Sequence, residues 1–309
     1  MTILYTHPSS KTHETPMGHP ERIARIEAIE ARLAKDDFDG LNRKEAPMGT
    51  KAQVGLAHPT EYIDRIEAAV PAGGFHQIDG DTHMSPGSFV AAMHAVGGIC
   101  AAVDDVLGGV DMNAFCATRP PGHHAETALP MGFCLFGTVA IGAKYAVSQG
   151  LNRVAIVDFD VHHGNGTQDL CWNDQSIFFN SSHQMPLWPG SGAAQETGAH
   201  DNILNYPLEP GADGSVLLNA YDEEIFARIA AHKPEMLFIS AGFDAHAHDP
   251  LANLNFSTED FAEITHKLCD FADAHCQGRI VSTLEGGYDL DALADSVAAH
   301  IRVLMERSA

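Results

Sequence analysis

Two stretches of the chain hold side chains that could do chemistry together. One is Arg119-Pro120-Pro121-Gly122-His123-His124-Ala125, which sets two imidazoles side by side on a loop stiffened by two prolines. Imidazole titrates near neutral pH, so one ring can take a proton from water while the other holds a charge. The second stretch is Asp158-Phe159-Asp160-Val161-His162-His163. A strand continuing through residue 162 puts Asp158, Asp160 and His162 on one face and Phe159 and Val161 on the other. Two carboxylates and an imidazole on one buried face are costly unpaired, and a cation offsets that cost. The plain alternative is an Asp–His hydrogen-bonded pair with no metal. A third carboxylate at another strand end favours the metal: Asp244, in Ser240-Ala241-Gly242-Phe243-Asp244. Asp160, His162 and Asp244 make three ligands with one position open, the arrangement of a catalytic zinc site. Two carboxylates leave a bound water less acid than three histidines would, so a separate general base becomes valuable. Each imidazole of the pair needs a partner to orient it, and Asp158 and Asn165 are the candidates. A carboxylate partner favours imidazolium more than an amide does, so the two rings are expected to differ in basicity. His246, His248 and Asp249, just past Asp244, read as polar rim residues rather than further ligands.

The elements that must carry these residues alternate between strands and helices. Strands are expected at Ile3-Leu4-Tyr5, Gln53 to Ala57, Asn113 to Ala117, Val154 to Val157, Ile177 to Phe179, Met236 to Ile239 and Ile280 to Leu284. Helical spacing of apolar residues predicts helices over Pro20–Leu33, Pro59–Val70, Ser85–Val106, Leu135–Val147, Asp213–Ala231, Thr258–Phe271 and Leu290–Met305. Continuous apolar strands between helices mean a mainly parallel sheet covered on both faces. The expected fold class is therefore α/β, a single domain over residues 1–309. Ligands of such sheets bind at the carboxyl ends of the strands. The histidine pair, the Asp/His cluster, Asp244 and Tyr288 all fall at such ends.

The 309 residues carry 18 basic and 41 acidic side chains, a formal charge of −23. That surface repels nucleic-acid backbones and anionic membranes and tolerates cationic substrates. No run of about eighteen apolar residues predicts a spanning helix. The polar N-terminal stretch lacks an apolar signal core, which reads as cytoplasmic. Six cysteines show no Cys-x-x-Cys pair and are expected to be reduced core thiols.

Arg119-Pro-Pro-Gly-His-His-Ala125, Val157-Asp-Phe-Asp-Val-His-His-Gly-Asn-Gly-Thr167, Ser240-Ala-Gly-Phe-Asp244 and Glu285-Gly-Gly-Tyr288 occur in this order. Together they resemble the histone deacetylase family, with its arginase–deacetylase fold, and are similar to its class II branch and the bacterial deacetylase-like amidohydrolases. The resemblance runs from His19-Pro20-Glu21-Arg22 to Tyr288. It implies zinc on Asp160, His162 and Asp244, with His123 paired to Asp158 and His124 paired to Asn165. It makes His124 the general base and His123 an electrostatic or acid partner. It makes Tyr288 a hydrogen-bond donor to the scissile carbonyl. It further implies a narrow acyl-amine tunnel walled by Phe133 and Trp188, with Leu251 near its mouth and Arg22 lining an inner pocket. A structural potassium ion on Asp158, Ser181 and the carbonyls of Asp160 and His162 is implied in the same way.

The implied activity is a zinc-dependent hydrolase acting on linear amides, a deacetylase for an acylated lysine-like amine. Two departures bear on substrate. The carboxylate that holds the substrate backbone in some relatives falls near Met84, with Asp79 and Asp81 close by. Leu251 stands where polyamine-preferring relatives can carry an acid, which favours an acetyl-lysine-like or neutral acyl amide. Rival readings are an acetylpolyamine deacetylase, a two-manganese ureohydrolase and an inactive acyl-lysine binding module. The chain is compatible with a monomer or a homo-oligomer.

Overall fold

Apolar runs without polar alternation become the middle of one sheet. The computed structural model describes residues 1–307. Its strands are β1 (Thr2–Thr6), β2 (Asn42–Glu45), β3 (His76–Gln77), β4 (His83–Met84), β5 (Asn113–Cys116), β6 (Val154–Asp158), β7 (Ile177–Gln184), β8 (Ile203–Leu208), β9 (Leu237–Ala241) and β10 (Ile280–Leu284). Eight of them form a sheet in the order β2-β1-β5-β10-β9-β6-β7-β8, every neighbouring pair parallel. The remaining two, β3 and β4, make a small antiparallel hairpin. The helices are α1 (Ile23–Leu33), α2 (Lys51–Val54), α3 (Thr60–Ala68), α4 (Ser88–Leu107), α5 (Thr138–Ser148), α6 (Asn165–Cys171), α7 (Gly214–Ala220), α8 (Phe226–His232), α9 (Thr258–His275) and α10 (Leu290–Arg307).

The two-residue period of a strand divides the core in two. On β6, Ala155 and Val157 pack with Ile26 and Ile29 of α1, Leu268 of α9 and Val297 of α10. Val154 and Ile156 of the same strand pack on the other face with Tyr62 of α3, Val96 of α4 and Val139 of α5. Helix α4 is long and apolar enough to cross a membrane by length and composition, and two thirds of its apolar window is buried inside the protein. Here it is a core helix laid on the sheet.

Three sequence expectations are corrected. Gln53 to Ala57 is not a strand: Thr50 caps α2 through a capping box with Gln53, and the chain then turns. Strand β6 stops at Asp158 instead of running through residue 162. Asp158 Oδ1 accepts the N–H of Asp160 at 3.0 Å, and Asp160 Oδ1 accepts the N–H of His162 at 2.9 Å. These are two successive Asx turns, which take the backbone out of the sheet. The sheet also extends past the expected strands, through β2 at one edge and β8 at the other. All six cysteines are buried and free, as expected.

Candidate active site

Strands β5, β10, β9 and β6 are consecutive across the middle of the sheet, so the loops leaving their carboxyl ends meet. The loop after β5 carries the histidine pair. It is anchored by Glu285 at the end of β10, whose Oε2 accepts the N–H groups of Gly122 at 2.7 Å and His123 at 3.1 Å. Behind it Arg119 is fully buried, ion-paired to Glu21 and donating to the Ser10 carbonyl.

Both imidazoles are buried, with ring centres 3.9 Å apart. His123 Nδ1 lies 3.0 Å from Asp158 Oδ2, and His124 Nδ1 lies 2.7 Å from Asn165 Oδ1. The Asn165 amide donates onward to Glu126 Oε1 at 2.8 Å, which fixes the amide oxygen toward His124. Burial alone would lower the His123 ring, but the carboxylates of Asp160 and Asp158 outweigh it and hold the ring well above its ordinary value. His124 goes the other way. Burial lowers it, the neighbouring His123 and His162 lower it further, and no carboxylate bonds it. The surroundings thus split the pair in basicity, favouring the charged form of His123 and the neutral form of His124.

Asp160, His162 and Asp244 come together, their ligand atoms all within 4.8 Å of one another. His162 Nδ1 faces Asp160 Oδ1 at 3.2 Å and Asp244 Oδ2 at 3.0 Å. Backbone amides orient both acids: Gly286 N–H donates to Asp160 Oδ2 at 2.8 Å, and Val161 N–H to Asp244 Oδ1 at 2.9 Å. The donor set fits a divalent cation. Burial disfavours a charged His162, yet the two acids raise it to about 10, so the cluster favours positive charge at this point. An ion supplies that charge without a proton. Gly286 is needed here because a Cβ would fall on the carboxylates of Asp244 and Asp160.

Tyr288 leaves β10 beyond Gly287, whose φ of +118° suits glycine. Its ring stands edge-on to Phe133, centres 6.0 Å apart, and Arg25 lies over its face at 4.9 Å. Burial raises the phenol well above its ordinary value, so it stays a donor. A cavity of about 190 Å³ is lined by His124, His162, Tyr288, Gly132, Phe133, Leu187, Trp188, Leu251 and Asp81. The reactive groups of the three loops therefore share one narrow space with aromatic walls. A wider cleft of about 590 Å³ lies elsewhere on the surface, and its Lys144 and Asp174 are already paired with each other.

Arg22 is not at an inner pocket: it is exposed, ahead of α1. The buried residue is Arg25, donating to the carbonyls of Gly287 at 2.6 Å and Glu285 at 2.5 Å. Its signal was helical spacing, since residue 25 shares the inward face with Ile26, Ile29 and Leu33. Met84 is a core residue, and the carboxylate at the cavity mouth is Asp81, presented by the β3–β4 turn. Asp81 Oδ1 accepts the Gly132 N–H at 3.1 Å. Asp158 and Ser181 are cross-strand partners, both fully buried, with Ser181 Oγ 3.0 Å from His183 Nδ1. Sequence reasoning assigned no role to Glu285 or Glu126, and it read Asp249 only as a polar rim residue, whereas its side chain is buried. A carboxylate adjoining a catalytic motif was the available sign for the first two.

The histone deacetylase domain profile matches residues 19–304. A probable deacetylase of Archaeoglobus fulgidus is 36% identical over 94% of this chain and 82% of its own length. A histone deacetylase-like amidohydrolase of Pseudomonas aeruginosa is 35% identical over 88% of this chain and 73% of its own. Among solved structures, the HDA15 HD domain superposes with a TM-score of 0.94 at 31% identity, covering 99% of this chain and 88% of that one.

Proposed function

The chain belongs to the histone deacetylase family of deacetylases and amidohydrolases, and on that premise we propose that it is a zinc-dependent hydrolase removing acetyl, or a similar acyl group, from a lysine-like amine. The observation that carries this reading is the shared cavity, in which His124, His162 and Tyr288 face one space behind the walls of Phe133, Leu187 and Trp188.

Asp160, His162 and Asp244 would hold the zinc, which when bound polarises the amide carbonyl and acidifies water. The residues of the chain do the rest. Neutral His124 accepts the proton of the attacking water at Nε2, because its Nδ1 is engaged by the Asn165 oxygen. Charged His123, held by Asp158, stabilises the negative charge that develops nearby. The Tyr288 hydroxyl donates to the carbonyl oxygen as that oxygen becomes an oxyanion. The proton gathered by the histidine pair then passes to the leaving amine. Apolar walls exclude bulk water from the alkyl stem of the substrate. Asp81 at the mouth is the acid placed to accept a substrate N–H. Leu251 there adds no charge, which suits an acetyl-lysine-like or neutral acyl amide. By the family resemblance a potassium ion would sit on Asp158, Ser181 and the carbonyls of Asp160 and His162. The burial of that cross-strand pair supports it.

Acetate release from an acetyl-lysine peptide and from acetylputrescine, with and without chelator, tests the reading. Chelator-sensitive release with a higher kcat/KM on the peptide is expected. Peptide binding without release would instead mark a binding module, and preference for acetylputrescine a polyamine enzyme.

A further inference from the structure

One buried carboxylate outside the zinc cluster joins two parts of this site. After Asp244 the chain forms a rim loop, closed by Phe256 N–H to the Ala245 carbonyl at 3.1 Å and Ala247 N–H to the Phe256 carbonyl at 2.9 Å. Asp249 lies in this loop and is 8% exposed. Its Oδ1 accepts the N–H of Leu251 at 3.0 Å, and its Oδ2 accepts the N–H of Tyr288 at 2.7 Å. Hydrogen bonds to the backbone of the 285–287 turn come from deep in the site. Arg25 holds the carbonyls of Glu285 and Gly287, Asp160 holds the Gly286 N–H, and Phe243 N–H holds the Gly286 carbonyl. Asp249 is the link that reaches from the cavity mouth.

We propose that Asp249 is a positioning residue that ties the tunnel rim at Leu251 to the Tyr288 hydroxyl, so that the gate and the oxyanion donor are set by one side chain. Its kinetic readout rests on the deacylase reading above. A carboxylate can accept from both N–H groups. A carboxamide cannot, because whichever way Asn turns, its NH2 faces one of the two donors. Asp249→Asn therefore breaks one of the two links with almost no change of shape. Asp249 is not among the clustered metal-ligating groups, so zinc content should not change.

The test measures kcat and KM on an acetyl-lysine peptide for wild type, Asp249→Asn, Tyr288→Phe and the double variant, with zinc content measured for each. Asp249→Asn is expected to lower kcat at least about tenfold, the scale of one lost charge-assisted hydrogen bond, with a smaller change in KM. In the Tyr288→Phe background the same change should cost less than about twofold, because its route of action is gone. Asp249→Glu, which keeps both acceptors but displaces them by a methylene, is the second variant, with the same collapse of its effect expected. Hydrogen exchange of the segments 249–251 and 285–290 reads the link without activity, and in either variant the amide that loses its acceptor, Leu251 or Tyr288, should exchange faster. Equal fold losses in the two backgrounds, or unchanged exchange at both the Leu251 and the Tyr288 amides, would overturn the proposal. If wild type hydrolyses no acetyl amide, the deacylase reading fails by itself, and the exchange measurement still decides the link.

Discussion

Tyr288 and the histidine pair show how identical residue types acquire different tasks from their partners. Tyr288→Phe removes one donor aimed at a developing oxyanion, which is worth about 3 kcal/mol, so kcat should fall by about two orders of magnitude. Zinc content should stay at wild type, because Tyr288 is not among the clustered ligating atoms. Kinetics paired with metal analysis checks both. The histidines set the pH profile. His124 must be neutral to act, and burial together with the charges of His123 and His162 lowers it, so activity should rise with pH through an acid limb below 6.5. His123 must be charged, and its carboxylate neighbours raise it despite burial, so activity should be lost only as pH climbs through a value well above 6.5. A kcat/KM profile checks the order, and an acid limb at or above 6.5 would contradict the assignment of the base. At this scale the sequence was legible wherever a motif names its own residues. Arg22 misled because it belongs to the motif His19-Pro20-Glu21-Arg22, whereas burial chose Arg25, one helical step inside.

Elements deliver these residues through turns more than through strands. Gly286 lets the turn after β10 pass between Asp160 and Asp244, and a methyl group there would push the two carboxylates apart. Gly286→Ala should weaken zinc binding by about 10–100-fold while the helical circular dichroism is kept. Competition with a chelator of known affinity measures this, and wild-type affinity would mean that the turn has room to yield. Further back, His300 of α10 bridges Thr265 of α9 at 2.8 Å and Ser282 of β10 at 3.0 Å, holding the strand that launches Tyr288. Burial lowers His300 to about 3. In the unfolded chain it protonates near 6.5, so its contribution is present above that value and is lost as pH falls from about 6.5 toward 3. Between about pH 7.5 and pH 5.5 that loss is on the order of 1 kcal/mol. Urea melts of wild type and His300→Gln at the two pH values should differ by that amount in pH sensitivity. The apolar strands β5, β6, β9 and β10 were readable because they are buried on both faces. Strand β2, Asn42-Arg43-Lys44-Glu45, was not, since an edge strand is stabilised by pairing with β1 and needs no apolar pattern. The end of β6 was missed for another reason: side-chain acceptors capture the next amides, which strand alternation does not register.

Over the whole molecule, the sheet brings four strand ends from widely separated parts of the chain to one rim, and the chain as a whole carries a formal charge of −23. Long-range attraction should favour acyl-lysine peptides with cationic flanks. Their KM should rise with salt between about 0.01 M and about 0.3 M, while the KM of a neutral peptide stays nearly level, as screening shortens the reach of the field. Parallel rises for both peptides would show that local contacts decide. The α/β class and the single covered sheet could be read from the order of apolar runs. The meeting of the motif-bearing loops was expected from their place at strand ends, but the order of strands across the sheet was not, because it comes from packing between distant segments; nor was the hairpin that brings Asp81 to the cavity mouth. The most direct measurement is zinc titration of metal-free protein, with bound metal and acetate release from an acetyl-lysine peptide followed together, for wild type and for Asp244→Asn. One zinc per chain, with activity rising in step to that equivalence and both lost in the variant, is the expected result. Full acetate release from protein shown to be free of metal, or a stoichiometry of two, would contradict a single ion held by Asp160, His162 and Asp244.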